Sequence, residues 1–141
     1  QAPVEYGRSE IIRKGKKIAV LGVGSMIPSC MEICKGLKDD GYDPTFVNAR
    51  FVKPLDVDLL DELAKDHSLF VTVEENVKSG GYGEHVSAYM EACHPEIRVL
   101  SAAVWDRFVP QGNVESLRSR IGLGVEDIRQ AIEDSEELRE Q

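Results

Sequence analysis

Cysteine is scarce in this sequence. There are three among 141 residues, an odd number and too few for a disulfide scaffold. That usage points to a reducing compartment and a cytoplasmic protein. Long apolar runs are absent as well. None approaches the roughly 20 residues that a membrane-spanning helix needs. Basic clusters are also missing: 17 Lys and Arg stand against 25 Asp and Glu, giving a net charge of -8. Contacts to phosphate backbones need clustered cations, so the balance argues against nucleic acid as a partner, and equally against an anionic membrane surface. No basic-then-apolar leader opens the chain. It begins at Gln1 rather than Met, as expected of a processed product or of a piece cut from a longer polypeptide.

What remains is an ordinary globular balance, 42% apolar and 30% charged. A chain of this length forms one domain and buries roughly two-thirds of its unfolded surface without staples. Residues 1–8 read as a linker remnant and 9–141 as the domain.

Strand and helix patterns alternate. "SEIIR" (Ser9–Arg13), a turn at Gly15, and the nearly all-apolar "KIAVLG" (Lys17–Gly22) read as a first hairpin. Ile27, Cys30, Met31, Cys34 and Leu37 then recur at helical spacing, with Ser25 as N-cap, Pro28 in the first turn and Gly41 at the stop. "PTFVNA" (Pro44–Ala49) is the next strand. Asp56 caps a second helix with Leu59, Leu60, Leu63 and Ala64 along one stripe, and Leu55 with Leu60 has the spacing of a hydrophobic staple. "SLFVTVE" (Ser68–Glu74) is a buried strand, followed by a helix carrying Tyr82, Val86, Tyr89, Met90 and Cys93. "IRVLSAAV" (Ile97–Val104) is a further strand. Asn113 caps a short helix with Leu117 and Ile121 inward and Gly122 at its end. A last helix places Val125, Ile128, Ala131 and Ile132 on one face, with fraying expected from Asp134 because acids crowd its C-terminal end. The order predicts an α/β fold of three layers. It has a mainly parallel five-stranded sheet, one antiparallel edge strand, and helices on both faces.

Several residues invite a chemical reading. "GVGSM" (Gly22–Met26) joins a strand to a helix, where anions and nucleotides sit in open α/β sheets. The third glycine of a dinucleotide fingerprint is missing, since Ile27 stands in its place, and Asn48 and Arg50 stand where an acidic residue belongs. A tight turn with a Ser25 cap is the plainer reading. Cys30 and Cys34, four apart on one helix, have a metal-ligand spacing, yet both lie on the apolar stripe, where free cysteine acts as a small core residue. His67 falls at a helix end, where an imidazole suits the dipole; His85 follows Glu84 in a helix, and His94 precedes Pro95. None is assigned a catalytic role by spacing. Glu74 and Glu75 are adjacent on a strand and point to opposite faces. They are therefore not a catalytic dyad, and Glu74 is expected to bind backbone amides of the glycine-rich turn that contains Gly80, Gly81 and Gly83.

"RFVKPLD" (Arg50–Asp56), "VTVEEN" with "GGYGEHV" (Val71–Val86) and "WDRFVPQG" (Trp105–Gly112) occur in this order. Together they resemble the C-terminal domain of the 1-deoxy-D-xylulose-5-phosphate synthases, within the transketolase superfamily, from about Val4 to Ile132. The resemblance implies a thiamine-diphosphate enzyme that joins pyruvate and glyceraldehyde 3-phosphate with loss of carbon dioxide, feeding isoprenoid, thiamine and pyridoxal synthesis. It implies catalysis between two other domains of the same chain, thiamine diphosphate and magnesium held there, and a homodimer to which this domain lends contacts. The G-D-G motif that serves the metal site in such enzymes is absent here, and Trp105 stands where the family usually has proline. On this reading the chain binds no cofactor itself. It carries no catalytic, cofactor-binding, metal or substrate-binding residue, and is inactive alone.

Overall fold

The computed structural model describes residues 6–75, 81–104 and 124–140. Five strands form one sheet: β1 (Glu10–Arg13), β2 (Lys17–Gly22), β3 (Thr45–Asn48), β4 (His67–Glu75) and β5 (Arg98–Val104), in the spatial order β1-β3-β2-β4-β5. Four helices are described: α1 (Ile27–Asp39), α2 (Val57–Ala64), α3 (Tyr82–Cys93) and α4 (Val125–Glu140). β3, β2, β4 and β5 run parallel, and β1 is the antiparallel edge.

Composition dictates that order. β2 is buried along Ile18–Gly22 and β4 along Leu69–Glu74, so both need cover on two faces and take the centre. Helices α1 and α4 close one face, where Ile33, Leu37, Ile128 and Ile132 pack on Val20 and Val71. Helices α2 and α3 close the other, where Leu60, Leu63, Val86 and Met90 pack on Leu21 and Phe70.

Several expectations need correction. The first two strands do not form a hairpin: β1 pairs with β3, Glu10 opposite Asn48 and Ile11 opposite Val47. The Gly15 turn tucks against the Asp43 and Pro44 carbonyls, and Lys16 donates its amide to Asp43 O at 2.8 Å. The half-polar β1 is thereby carried to the outer edge, leaving β2 inside. Within α1, Ile33 is buried and Met31 is exposed; the stripe is centred on Cys30, Ile33, Cys34 and Leu37, one step around the helix from the predicted one. Cys93 is likewise exposed. Helix α4 does not fray from Asp134 but runs to Glu140; Arg98 Nη1 donates to Ser135 O at 3.1 Å, and Glu136 is buried. The expected helix capped by Asn113 lies outside the described residues.

Two helix ends follow the sequence. Gly41, at φ 97°, closes α1: its amide donates to Lys38 O at 3.0 Å and that of Tyr42 to Leu37 O at 2.9 Å. This is the paired closure that a left-handed glycine allows. Asp56 caps α2 by accepting from the Leu59 amide at 3.2 Å, and Leu55 and Leu60 join the same apolar cluster. The other Asp56 oxygen accepts from the Ser9 amide at 2.8 Å, tying the start of β1 to α2. Among the described residues, no helix is long and apolar enough to cross a membrane.

Candidate functional site

In an open sheet of this topology, ligands collect beyond the strand C-termini, where neighbouring strands send their connections to opposite faces. Here that point lies between β2, which leads to α1, and β4, which leads to α3. Ser25 follows β2 and Glu75 ends β4. The Ser25 hydroxyl donates to Glu75 Oε1 at 3.3 Å.

Ser25 does not cap α1. It sits in a single 3₁₀ turn, Gly24–Met26, and the helix begins after Met26 without a side-chain cap. Gly22 is required for a different reason than ligand approach: a Cβ there would lie 2.5 Å from Cys30 Sγ, so it sets how closely α1 packs on β2. A carboxylate at the mouth of this turn opposes an anionic ligand, and the structure gives nucleotide binding at Ser25 no support.

Glu74 and Glu75 diverge, as their adjacency predicts. Glu74 is buried, and its carboxylate straddles the start of α3: Oε1 accepts from the Tyr82 amide and Oε2 from the Gly83 amide, each at 2.6 Å. Both donors are first-turn amides that have no partner within the helix, and a negative charge suits that end of the dipole. Burial, followed by the nearby charges of Asp56 and Glu74, raises the Tyr82 phenol well above its ordinary value. Gly83 acts by close approach. A Cβ on Gly83 would meet Glu74 Oε2 at 2.6 Å and Thr72 Oγ1 at 2.7 Å. Neither Gly81, extended at φ -78°, nor Gly83 takes a positive φ; Gly80 lies outside the described residues.

The remaining candidates separate. Cys30 and Cys34 are buried. Burial pushes both thiols up to about 12, with Cys34 adding to the rise at Cys30, and with Arg13 and Lys38 offsetting part of it at Cys34. Among the described residues, no group of three His, Cys, Asp or Glu side chains is placed to hold a metal ion. His67 does sit beyond the end of α2, with Nδ1 2.9 Å from Leu63 O and 2.7 Å from Asp66 Oδ1, while Nε2 lies 2.6 Å from Thr45 Oγ1. Lys14, then His67, holds the Asp66 carboxyl below its usual range. His94 Nε2 lies 2.7 Å from Asp61 Oδ1, which also accepts from the Tyr89 hydroxyl at 2.7 Å. These two bonds, His94 first, lower the Asp61 carboxyl. His85 Nε2 is buried without a hydrogen-bond partner, as is Thr72 Oγ1. His67, His85, His94 and the Cys30–Cys34 pair thus occupy separate places in the fold and assemble no common site. The Asp61 cluster was not legible beforehand, because 28 residues separate Asp61 from Tyr89 and 33 from His94, and only the packing of α2 beside α3 joins them.

Residues 7–128 match the profile of the transketolase C-terminal domain. The chain belongs to that family. It is 40% identical over 129 residues to the 1-deoxy-D-xylulose-5-phosphate synthase of Dictyoglomus thermophilum, covering 92% of this chain and 21% of that protein. Against the synthase of Lachnoclostridium phytofermentans it is 40% identical over 124 residues, covering 87% of this chain and 20% of the relative. A solved structure, a split-gene transketolase described as an inactive β4 tetramer, superposes with a TM-score of 0.75 at 29% identity and covers 94% of this chain and 43% of that one. This transketolase C-terminal domain therefore spans about a fifth of the length of the synthases it matches. Its mixed sheet with one antiparallel edge is the expected architecture, and the resemblance seen in "RFVKPLD" and "TVEEN" is upheld.

Proposed function

We propose that the chain is the C-terminal, assembly-supporting domain of a 1-deoxy-D-xylulose-5-phosphate synthase, a cytoplasmic transferase that depends on thiamine diphosphate and magnesium. The whole enzyme would join pyruvate to glyceraldehyde 3-phosphate with loss of carbon dioxide, for isoprenoid, thiamine and pyridoxal synthesis. The observation that carries this reading is 40% identity across 92% of the chain to a synthase of which it covers only 21%. On this reading residues 9–141 form the domain and 1–8 its connection to the rest of the polypeptide. The described residues do not fit a metal-held diphosphate: Glu75 faces the turn between β2 and α1, and no cluster of ligating side chains accompanies it. Cofactor and catalysis belong to the domains that precede this one in the enzyme, and the domain's own task is contact with them and with a second subunit in a homodimer.

The test replaces the matching fifth of the Dictyoglomus thermophilum synthase with this chain. The chimera is expected to consume pyruvate with glyceraldehyde 3-phosphate when given thiamine diphosphate and magnesium. The chain alone is expected to give no heat on titration with that cofactor pair and no turnover. A folded but inactive chimera, or turnover by the chain alone, overturns the reading.

A further inference from the structure

Two features that cost stability meet at the opposite end of the strands from Ser25, where α1 ends and β2 begins. The first is a backbone conformation. Lys17 has φ 72° and is the centre of a γ-turn, in which the Ile18 amide donates to Lys16 O at 2.9 Å. A γ-turn of this hand is rare and strained, and its φ is disfavoured for any residue with a Cβ but open to glycine. The surroundings impose the kink. The Lys16 amide is held by Asp43 O at 2.8 Å and that of Lys17 by Asp66 O at 3.0 Å, and the pairing of β2 with β4 shifts register between Lys17 and Ile18. Glycine would meet the same demand without strain, yet the sequence keeps a side chain there.

The second feature is a buried acid. Glu136 of α4 is only 2% exposed, and taking a carboxylate out of water is costly. Both features border one cavity of about 200 Å³, which Lys16, Lys17, Ile18, Tyr42, Asp43 and Glu136 line. Strained backbone and buried charge gather at functional sites, because stability alone does not select them. The lining defines the ligand. Asp43 is engaged by Arg13 at 2.8 Å, which leaves Glu136 as the cavity's own acid. An ionised carboxylate has about four acceptor sites, so a partner within the domain does not exhaust it. Lys16 and Lys17 are exposed whereas Glu136 is buried, so the positive groups stand at the mouth and the negative one at depth. A complementary molecule carries an ammonium inward and an anionic group outward. The volume, set against about 30 Å³ for a water in the liquid, leaves room for roughly six non-hydrogen atoms.

We propose that this cavity is a binding site for a small zwitterion of the α-amino-acid class, its ammonium on Glu136 and its carboxylate on Lys16 and Lys17. The test is a titration of the isotope-labelled chain with L-alanine, followed by amide NMR. The amides of Lys17, Ile18 and Tyr42 are expected to shift saturably, with a Kd on the order of 1 mM, within reach of so small a ligand. Acetate and methylammonium each carry one of the two charges, and each is expected to bind at least about tenfold more weakly. Lys17→Gly relieves the strained turn and removes one ammonium. It is expected to melt no lower than the wild type and to bind L-alanine at least about tenfold more weakly. Lys17→Ala keeps the strain and is expected to lose binding to the same extent. Three results each overturn the proposal: no saturable shift up to about 50 mM L-alanine, some fiftyfold above the expected Kd; equal binding of acetate or methylammonium; or undiminished binding in folded Lys17→Gly and Lys17→Ala. The chimera's activity is a separate readout, so failure here leaves the synthase reading untouched.

Discussion

Glu74 Oε2 lies 2.6 Å from the amide nitrogen of Gly83 and would lie the same distance from a Cβ on that residue. The carboxylate binds the helix start only because residue 83 has no side chain. Glu74→Gln keeps one acceptor and loses the charge, leaving one buried amide short of a partner. The expected loss is about 1–3 kcal/mol in urea denaturation. Gly83→Ala forces the new methyl against Glu74 and Thr72, with a loss of similar size from overpacking. Residues in contact do not behave additively. In Glu74→Ala the methyl at position 83 regains part of its space, so the double variant is expected to lose less than the sum of the two single losses. Unchanged stability in Glu74→Gln, or strict additivity in the cycle, contradicts this account.

The thiols give a second prediction. Cys30 and Cys34 are buried and their thiols are pushed up to about 12, whereas Cys93 is exposed. A thiolate attacks the disulfide reagent and displaces its other sulfur, so reactivity follows both exposure and ionisation. In the native chain at about pH 8, near the ordinary thiol value, Cys93 is expected to react promptly and the other two only at the rate of unfolding; in denaturant all three react. A Cys93→Ser chain is expected to show no fast phase. Rapid modification of Cys30 or Cys34 in the folded chain would return them to consideration as reactive or ligating groups.

Much of this was legible from local pattern, because the signals that mattered were periodicity and short-range backbone demand. The buried runs of β2 and β4, the Asp56 cap and the Gly41 stop each follow from a few neighbouring residues. Glu74 was legible for the same reason: a carboxylate at a strand end, followed within nine positions by a glycine-rich helix start, has nearby amides to bind. Pairing that depends on the whole sheet was not legible. The partner of β1 is decided by which strands need two covered faces, and the β1 sequence does not contain that information. Ser25 read as a cap because it precedes the helical pattern, but an intervening 3₁₀ turn takes it out of position. At the far end of α4, charge sign alone implied fraying, whereas the packing of Glu136 and the bond from Arg98 to Ser135 O, both long-range, hold the helix together.

Arg129 supplies the last prediction. Its side chain crosses from α4 to α1, lying over Gly36 and pairing with Asp40, with Glu126 at 2.8 Å and with Glu133 at 2.7 Å. The Glu133 carboxyl is raised above its ordinary value by burial first and by Asp40 second, and Arg129 opposes that rise. A carboxyl whose folded value is raised favours folding fully below its unfolded value near 4.5 and loses that contribution as pH rises through the folded value. Removing Arg129 takes away the opposing cation, moves the folded value of Glu133 further up, and leaves two acids facing each other at neutral pH. Arg129→Ala is therefore expected to destabilise the chain more at pH 7 than at pH 4. The companion Arg129→Ala/Glu133→Gln should recover part of the loss at pH 7 and little of it at pH 4. Melting temperatures of the wild type and both variants at the two pH values check this. A loss of equal size at both pH values would assign Arg129 to packing over Gly36 rather than to charge.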